Sequence, residues 1–395
     1  MARLFVPNLD FEIELAGRPG DRGTDVAWRR TTADLSWCFA AIADDGDAVL
    51  VDEMPDPEDL RAIEGGVVPR LTPVLDPSTL NNVTEVVPWG WTRSVRELAE
   101  RLGVVSVAPP ADVIETANRR GWGFAIEQDL DLGLPGSRAV ETPTELNRCI
   151  KQLGDEPRGW VIKADLAMAG RERRRGRGAE LVNDTRDWAR GLLGRDGVLF
   201  VEPWVEPVRE VGLQWTVQPV TGTVELAGVT DLLCTAGGGY RGSRLNAAAE
   251  GEDGKGWNEV VVAGREAAGR LAALGYHGPV GIDAMQFLGR DGTPRWRPLQ
   301  DINARYTMGR LALGWRDRIG AHQWACWLQM RWDDTDGIDK HYEVADDDLH
   351  GVRIVRTTPL PSKRSAAAGM VLVTASTSER LSSAEFFVSG VDGLR

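Results

Sequence analysis

The spacing of apolar and polar residues divides the chain into three regimes. Over residues 1–112 short apolar runs alternate with amphipathic stretches. Residues 4–6, 11–15, 48–52, 67–74, 83–87 and 104–107 read as strands. Residues 55–66 and 94–102, the latter behind Thr92 as N-cap, read as helices. Such alternation predicts a parallel sheet with ligands at the C-terminal ends of its strands. Trp89 and Trp91, either side of Gly90, line a cleft or pack against the next domain. Residues 111–130 and 143–153 carry helical spacing, the second behind Thr142 as N-cap.

From 160 to 240 the runs become short and turn-bounded, as in WVIKAD, GVLFVEPWVE, VGLQWTVQPV and TVELAGVTDLLCT. A helix over 258–274 ends at Gly275. Residues 282–288 and 296–302 then flank Gly289-Arg290-Asp291-Gly292, a turn suited to closing a hairpin. Residues 308–313 and 319–330 read as helices, and 331–345 as an acidic loop. Two strands, 352–356 and 370–374, follow around a Pro/Ser-rich turn.

The hairpin concentrates candidate chemistry. Asp283 lies on its first strand, Asp301 and Asn303 on its second, and Arg305 two residues further on. Residues two apart on a strand share a face, and antiparallel pairing sets the strands side by side. Buried carboxylates that close repel one another unless a cation sits among them. Oxygen-only ligation by few protein groups suits Mg²⁺, which keeps waters and phosphate oxygens in its shell.

Lys163 is the second signal. It sits inside the apolar run Trp160-Val161-Ile162-Lys163-Ala164, in a chain where only five of 46 basic residues are Lys. A strand lysine on an inner face needs an anion to offset its desolvation. The stretch 165–179, DLAMAGRERRRGRGA, follows with Gly170 and several Arg. Small residues let backbone N–H groups approach phosphate oxygens, so this reads as a lid over polyphosphate. Further on, Glu202-Pro203-Trp204-Val205 and Glu210 lie where Pro203 and Pro207 interrupt ladder pairing. Free backbone groups beside a Trp/Val surface can bind adenine, and a nearby carboxylate can take ribose hydroxyls. In Ala236–Ser243, AGGGYRGS, Arg241 and Ser243 could face a substrate anion, although this is neither a P-loop nor GxGxxG.

Composition narrows the classes. With 395 residues, 42% hydrophobic and 27% charged, the chain has the profile of a soluble globular protein of two or three domains. A net charge of −13 argues against an extended nucleic-acid surface. Cys38, Cys149, Cys234 and Cys326 are scattered without a CxxC, as expected of free thiols in a reducing cytoplasm. The four His show no zinc-ligand spacing. No run approaches the ~20 apolar residues of a membrane span, and the first fifteen residues lack a signal peptide's apolar core. The expected location is the cytoplasm.

In this order, the strand lysine, Gly-rich flap, hinge with two Glu, and Asp plus Asp-x-Asn on paired strands resemble the ATP-grasp superfamily of the carboxylate–amine ligase type. The motifs span residues 113–316, and INARYTMG with PWGW resembles a less familiar bacterial branch. The resemblance implies an α/β protein, α+β in its nucleotide-binding part. Its expected units are an N-terminal βα domain (1–112), a central subdomain with the flap (113–201), a C-terminal subdomain with the metal site (202–345) and a β tail (346–395).

It further implies that Lys163 and Arg119 bind ATP phosphates beneath the flap carrying Gly170. Glu202 would accept from the adenine amino group, Trp204 and Val205 would form the hinge, and Glu210 would hold the ribose. Asp283, Asp301 and Asn303 would coordinate one or two Mg²⁺ (Mn²⁺ as a substitute), and Arg305, with Lys163, would stabilise the transferring phosphoryl. One departure stands out: the family usually has Glu where Asp301 stands, and Asp is a methylene shorter. The expected reaction joins a small-molecule or peptide carboxylate to an amine through an acyl-phosphate, in a monomer or homodimer without nucleic acid or membrane. A kinase-like phosphotransferase and a nucleotide-binding module with little turnover are the alternatives.

Overall fold

The computed structural model describes residues 2–17, 33–166, 172–235, 238–245, 258–320, 324–333, 351–359 and 366–389. Three sheets carry the fold. The first holds β1 (Ala2–Val6), β2 (Ala48–Leu50), β3 (Thr72–Val74) and β4 (Val83–Pro88), all parallel in the order β3-β2-β1-β4. Helices α1 (Phe11–Leu15), α2 (Pro57–Ile63) and α3 (Arg93–Arg101) accompany it. The predicted parallel sheet is therefore present.

Helices α4 (Ala111–Ala117) and α5 (Arg120–Asp129) lead to the second sheet. It contains β5 (Arg138–Val140), β6 (Trp160–Ala164), β7 (Arg173–Gly176) and β8 (Leu199–Pro203), antiparallel in the order β5-β8-β6-β7. Helices α6 (Pro143–Gln152) and α7 (Asn183–Asp196) belong to this unit, and Leu146, Ile150, Leu192 and Leu193 pack with Ile162, Leu199 and Val201 in one core. Thr142 and Glu145 form a reciprocal capping box at the start of α6, a motif worth about 1 kcal/mol.

The third sheet has eight strands. They are β9 (Pro207–Val217), β10 (Val224–Cys234), β11 (Tyr240–Arg244), β12 (Gly278–Leu288), β13 (Pro294–Asn303), β14 (Trp324–Asp333), β15 (Val352–Arg356) and β16 (Ala366–Ala375). The order is β13-β12-β9-β10-β11-β14-β16-β15, antiparallel throughout. Helix α8 (Asn258–Leu274) buries Val260, Ala263, Ala267 and Leu271, a stripe of helical period. Its Gly264 lets the indole of Trp215 approach: a Cβ there would lie 3.1 Å from Nε1. Short α9 (Met308–Leu313) and α10 (Ser378–Ser389) complete the unit.

Several expectations are corrected. Residues 11–15 form a helical turn, because the N–H groups of Ile13 and Glu14 donate to the Asp10 carbonyl. Five alternating residues cannot distinguish the two forms. Only Thr72–Val74 of the 67–74 run is a strand, and 104–107 is no strand: Val105 lies on the surface at 93% exposure. The helix read over 111–130 breaks at Asn118-Arg119. The largest correction is 319–330, read as a helix, whose apolar part forms strand β14 between β11 and β16. Ala325, Cys326 and Trp327 are all fully buried, and a strand covered on both faces shows no alternation to read. Residues 331–333, read as the start of the acidic loop, are the end of β14, and 334–345 lie outside the described residues.

Candidate active site

A cavity of about 790 Å³ opens between the second and third sheets. Its cationic wall comes from β6 and β7, where Lys163 pairs with Arg173 and Val161 with Arg175. Directly opposed residues, and residues two apart, share a face; all four line the cavity. The guanidinium of Arg175, itself exposed, also lies 3.7 Å from the ring centre of Trp204, a cation–π contact.

Lys163 does not stand alone. Its Nζ donates to Oε2 of Glu202 at 2.6 Å. Arg297 Nη1 donates to the same oxygen at 2.9 Å and Nη2 to Oε1 at 3.1 Å. Arg297 also makes a two-pronged contact with Glu127, Nε to Oε1 at 2.6 Å and Nη2 to Oε2 at 2.7 Å. Burial pulls the Lys163 ammonium down to about 8; Glu202 opposes this, whereas the Arg120 and Arg297 charges add to it. For Glu202, burial acts to raise the carboxyl, but Arg297 and Lys163 outweigh it and hold it well below the usual range. Burial likewise raises Glu127 despite Arg297.

The hinge runs from Glu202 to Pro207 along the cavity rim. Trp204 N–H donates to Gly159 O at 2.8 Å, and Val205 packs against Leu134, Met285 and Phe287. Glu210 lines the cavity and accepts from Gln300 Nε2 at 3.3 Å. Glu202 also lines it, but both its oxygens are held by Lys163 and Arg297. The carboxylate expected to meet adenine is thus already engaged by two cations.

The hairpin forms with the anticipated turn: Gly289 N–H donates to Thr293 O, and Gly292 has φ +76°. Asp283 stands opposite Asp301, and Gly281 opposite Asn303. The register slips between Asp283 and Met285, because Met285 faces Arg297. Such bulges re-aim side chains. Burial raises the Asp283 carboxyl to about 7, and the Asp301 and Glu210 charges add to the effect; Arg305 and an Asn303 hydrogen bond oppose it. Two carboxyl groups facing each other across the ladder, with the Asn303 amide oxygen adjacent, are a donor set that fits a magnesium ion. Among the described residues no group of three or more His, Cys, Asp or Glu is placed to hold a metal.

Arg305 is held rather than free. Its Nε donates to Glu12 Oε1 at 2.7 Å, and Nη2 to Asn303 Oδ1 at 2.9 Å. Its guanidinium lies 5.2 Å from the ring centre of Trp89. Trp89 thus packs against the segment that follows the hairpin, the second of the two roles the sequence left open.

Asp283, Asp301, Asn303 and Arg305 do not line the large cavity, and three further expected residues also stand elsewhere. Arg119 is bound by Asp165 at 2.7 Å and Glu115 at 2.5 Å and does not line the large cavity, whereas its neighbour Arg120 lies 3.6 Å from Asp301. Ser243 is fully buried with its hydroxyl 3.0 Å from Tyr240 Oη, so it cannot meet a substrate anion. Arg241 is absent from the cavity lining, where Arg244 stands instead, paired with Glu385 at 2.7 Å. Gly170 lies outside the described residues. Arg297, Glu127 and Glu12 escaped sequence reading, whereas Arg173 and Arg175 fall in the stretch read as a flap, of which residues 173–176 form strand β7. Arg297 had a usable signal, a charge within the apolar stretch Trp296-Arg297-Pro298-Leu299.

No protein-family model matches the sequence, and no curated protein matches it either. Solved structures do. An N5-carboxyaminoimidazole ribonucleotide synthetase from Thermus thermophilus is similar with a TM-score of 0.54 and 17% identity, over 100% of both chains. The N5-carboxyaminoimidazole synthetase from Staphylococcus aureus gives 0.55 and 10%, over 98% of this chain and 97% of that one. The biotin carboxylase domain of the Hydrogenobacter thermophilus 2-oxoglutarate carboxylase, solved with MgADP, ADP and bicarbonate, gives 0.52 and 12%, over 94% and 86%. These are ATP-grasp structures, and the present chain has the ATP-grasp fold.

Proposed function

We propose that the protein is an ATP-dependent ligase joining a carboxylate to an amine through an acyl-phosphate. The observation carrying this is the cavity between the sheets, cationic at Lys163, Arg173 and Arg175 and bounded by the hinge from Glu202 to Glu210. Structures of the same fold hold ADP, ATP or MgADP, which supports a nucleotide there. The adenine sits against Trp204 and Val205, Glu210 takes the ribose, and Lys163 and Arg173 meet the phosphates.

Asp283, Asp301 and Asn303 would hold magnesium, which when bound neutralises phosphate charge. The remaining work is positioning and electrostatics. A substrate carboxylate oxygen attacks the γ-phosphorus while the bond to the β-bridging oxygen breaks and ADP leaves. Arg305 is aimed by Glu12 and Asn303 and stabilises the phosphoryl oxygens. The amine then attacks the acyl carbon, phosphate departs and the amine loses its proton. No protein nucleophile is required.

The test is a phosphate-release assay against pooled amino acids, short peptides and other small carboxylates, with products read by mass spectrometry. Amide, ADP and phosphate in equal amounts support a ligase. A phosphorylated end product would replace it with a phosphotransferase. A second reading, a nucleotide-binding module with little turnover, draws on the short Asp301 and on the Arg305–Glu12 pair, which already occupies the catalytic cation.

A further inference from the structure

Helix α5 is tied to both walls of the cavity. At its start, Asp165, just beyond β6, accepts from Arg119 and from the N–H of Gly121, and its carbonyl accepts from the N–H of Arg120. One helical face then follows β13, with Arg120 beside Asp301 and Glu127 gripping Arg297. Positions i and i+7 lie on one side of a helix. The two contacts therefore register α5 against the strand that carries the metal ligands.

Arg297 is 2% exposed, and its two carboxylate partners are buried as deeply. A buried guanidinium holding two carboxylates has high geometric definition, because each fork admits one orientation. One of those carboxylates is the partner of Lys163. We infer that Arg297, braced by Glu127, is a positioning residue that fixes Glu202 and through it aims the Lys163 ammonium into the cavity. The second strand of the hairpin thereby contributes to the phosphate side of the site as well as to the metal side. Without Arg297, Lys163 is the remaining hydrogen-bonded cation of Glu202, and the existing 2.6 Å contact holds the ammonium on the carboxylate at the expense of the cavity.

This inference deepens the nucleotide reading, and its significance for ATP rests on that reading; the measurement itself does not. The charged groups around Lys163 are Glu202 on β8, Arg297 on β13, Arg120 and Glu127 on α5, and Arg173 opposite it on β7. With five lysines in the chain, selective ¹³Cε-lysine labelling gives a sparse spectrum in which Lys163→Arg assigns the site. In the wild type Lys163 should titrate at about 8.

In Arg297→Met its midpoint should rise by about one pH unit or more, since a neighbouring positive charge is lost. ATP should bind at least about tenfold more weakly. Glu127→Gln/Arg297→Gln, which leaves no unpaired carboxylate at 127, should show a smaller rise, since a negative charge near Lys163 is lost with the positive one, and serves if the single variant folds poorly. Leu199→Ala, a core change in β8, should lower stability without moving the midpoint. A Lys163 titration unchanged in both Arg297 variants would overturn the inference. Absence of ATP binding to the wild type would overturn the proposed function and leave this readout intact.

Discussion

Asp283 and Asp301 face each other across the β12–β13 ladder, and Asp283 is held protonated to about pH 7 by burial, by Asp301 and by Glu210. The shift is upward from the unfolded value, so the folded protein binds more protons between roughly pH 4 and 7. In the metal-free protein the stability contributed by Asp283 is fully present at the low end of that window. It is lost as pH rises through about 7. Magnesium, which needs the ionised form, should therefore bind more tightly as pH rises to about 7 and change little above it. Calorimetry in buffers of different ionisation enthalpy should show proton release near pH 6 that disappears in Asp283→Asn; pH-independent binding without proton release would contradict the assignment.

Lys163→Ala should weaken ATP binding by about two orders of magnitude, because it removes a phosphate partner and leaves Glu202 short of a cation. The ammonium is depressed to about 8 from 10.5. Folded protein thus binds fewer protons than unfolded over that range, and stability from this group grows as pH rises through it. Nucleotide affinity should move the other way, falling above pH 8 as the charge disappears. Fluorescence titration with ATP from pH 7 to 10 tests this, and an affinity flat across that range would remove the lysine from the phosphate site.

Asp301→Glu should preserve or increase turnover. The Asp301 side chain is 43% exposed and only 3.6 Å from Arg120, so a further methylene has room to extend towards the metal. Steady-state phosphate release compares the two. Complete loss of activity would mean that the site is built around the shorter acid.

Glu12→Gln should destabilise the fold by about 1.5–3 kcal/mol, since it weakens charged hydrogen bonds to a largely buried Arg305. The loss should show as a lowered thermal midpoint. An unchanged midpoint would make the Glu12–Arg305 contact incidental to the packing of the first sheet on the third.

The hairpin was legible because each of its signals is local: a Gly/Asp turn, two apolar runs, and acids at fixed spacing along them. Lys163 was legible through rarity, a charge in an apolar run in a chain poor in lysine. The same argument applied to Arg297 would have found it, but Arg is common here and its presence raised no alarm. Glu127 and Glu12 could not be found that way, since each sits on a helix where a lone acid is ordinary. Their meaning comes from partners 170 and 293 residues away. Strand β14 was misread because Ala325, Cys326 and Trp327 are buried on both faces, which erases the two-residue period. Ser243 was misassigned because a Gly-rich stretch looks solvent-facing, yet its strand lies in the middle of an eight-stranded sheet.

The most direct test is a crystal structure with a non-hydrolysable ATP analogue and Mn²⁺, whose anomalous signal locates the ion. The adenine should lie along Trp204-Val205, a phosphate oxygen should meet Lys163, and the ion should bridge the phosphates to Asp283 and Asp301. A nucleotide bound away from the cavity, or manganese with no contact to either aspartate, would contradict the account.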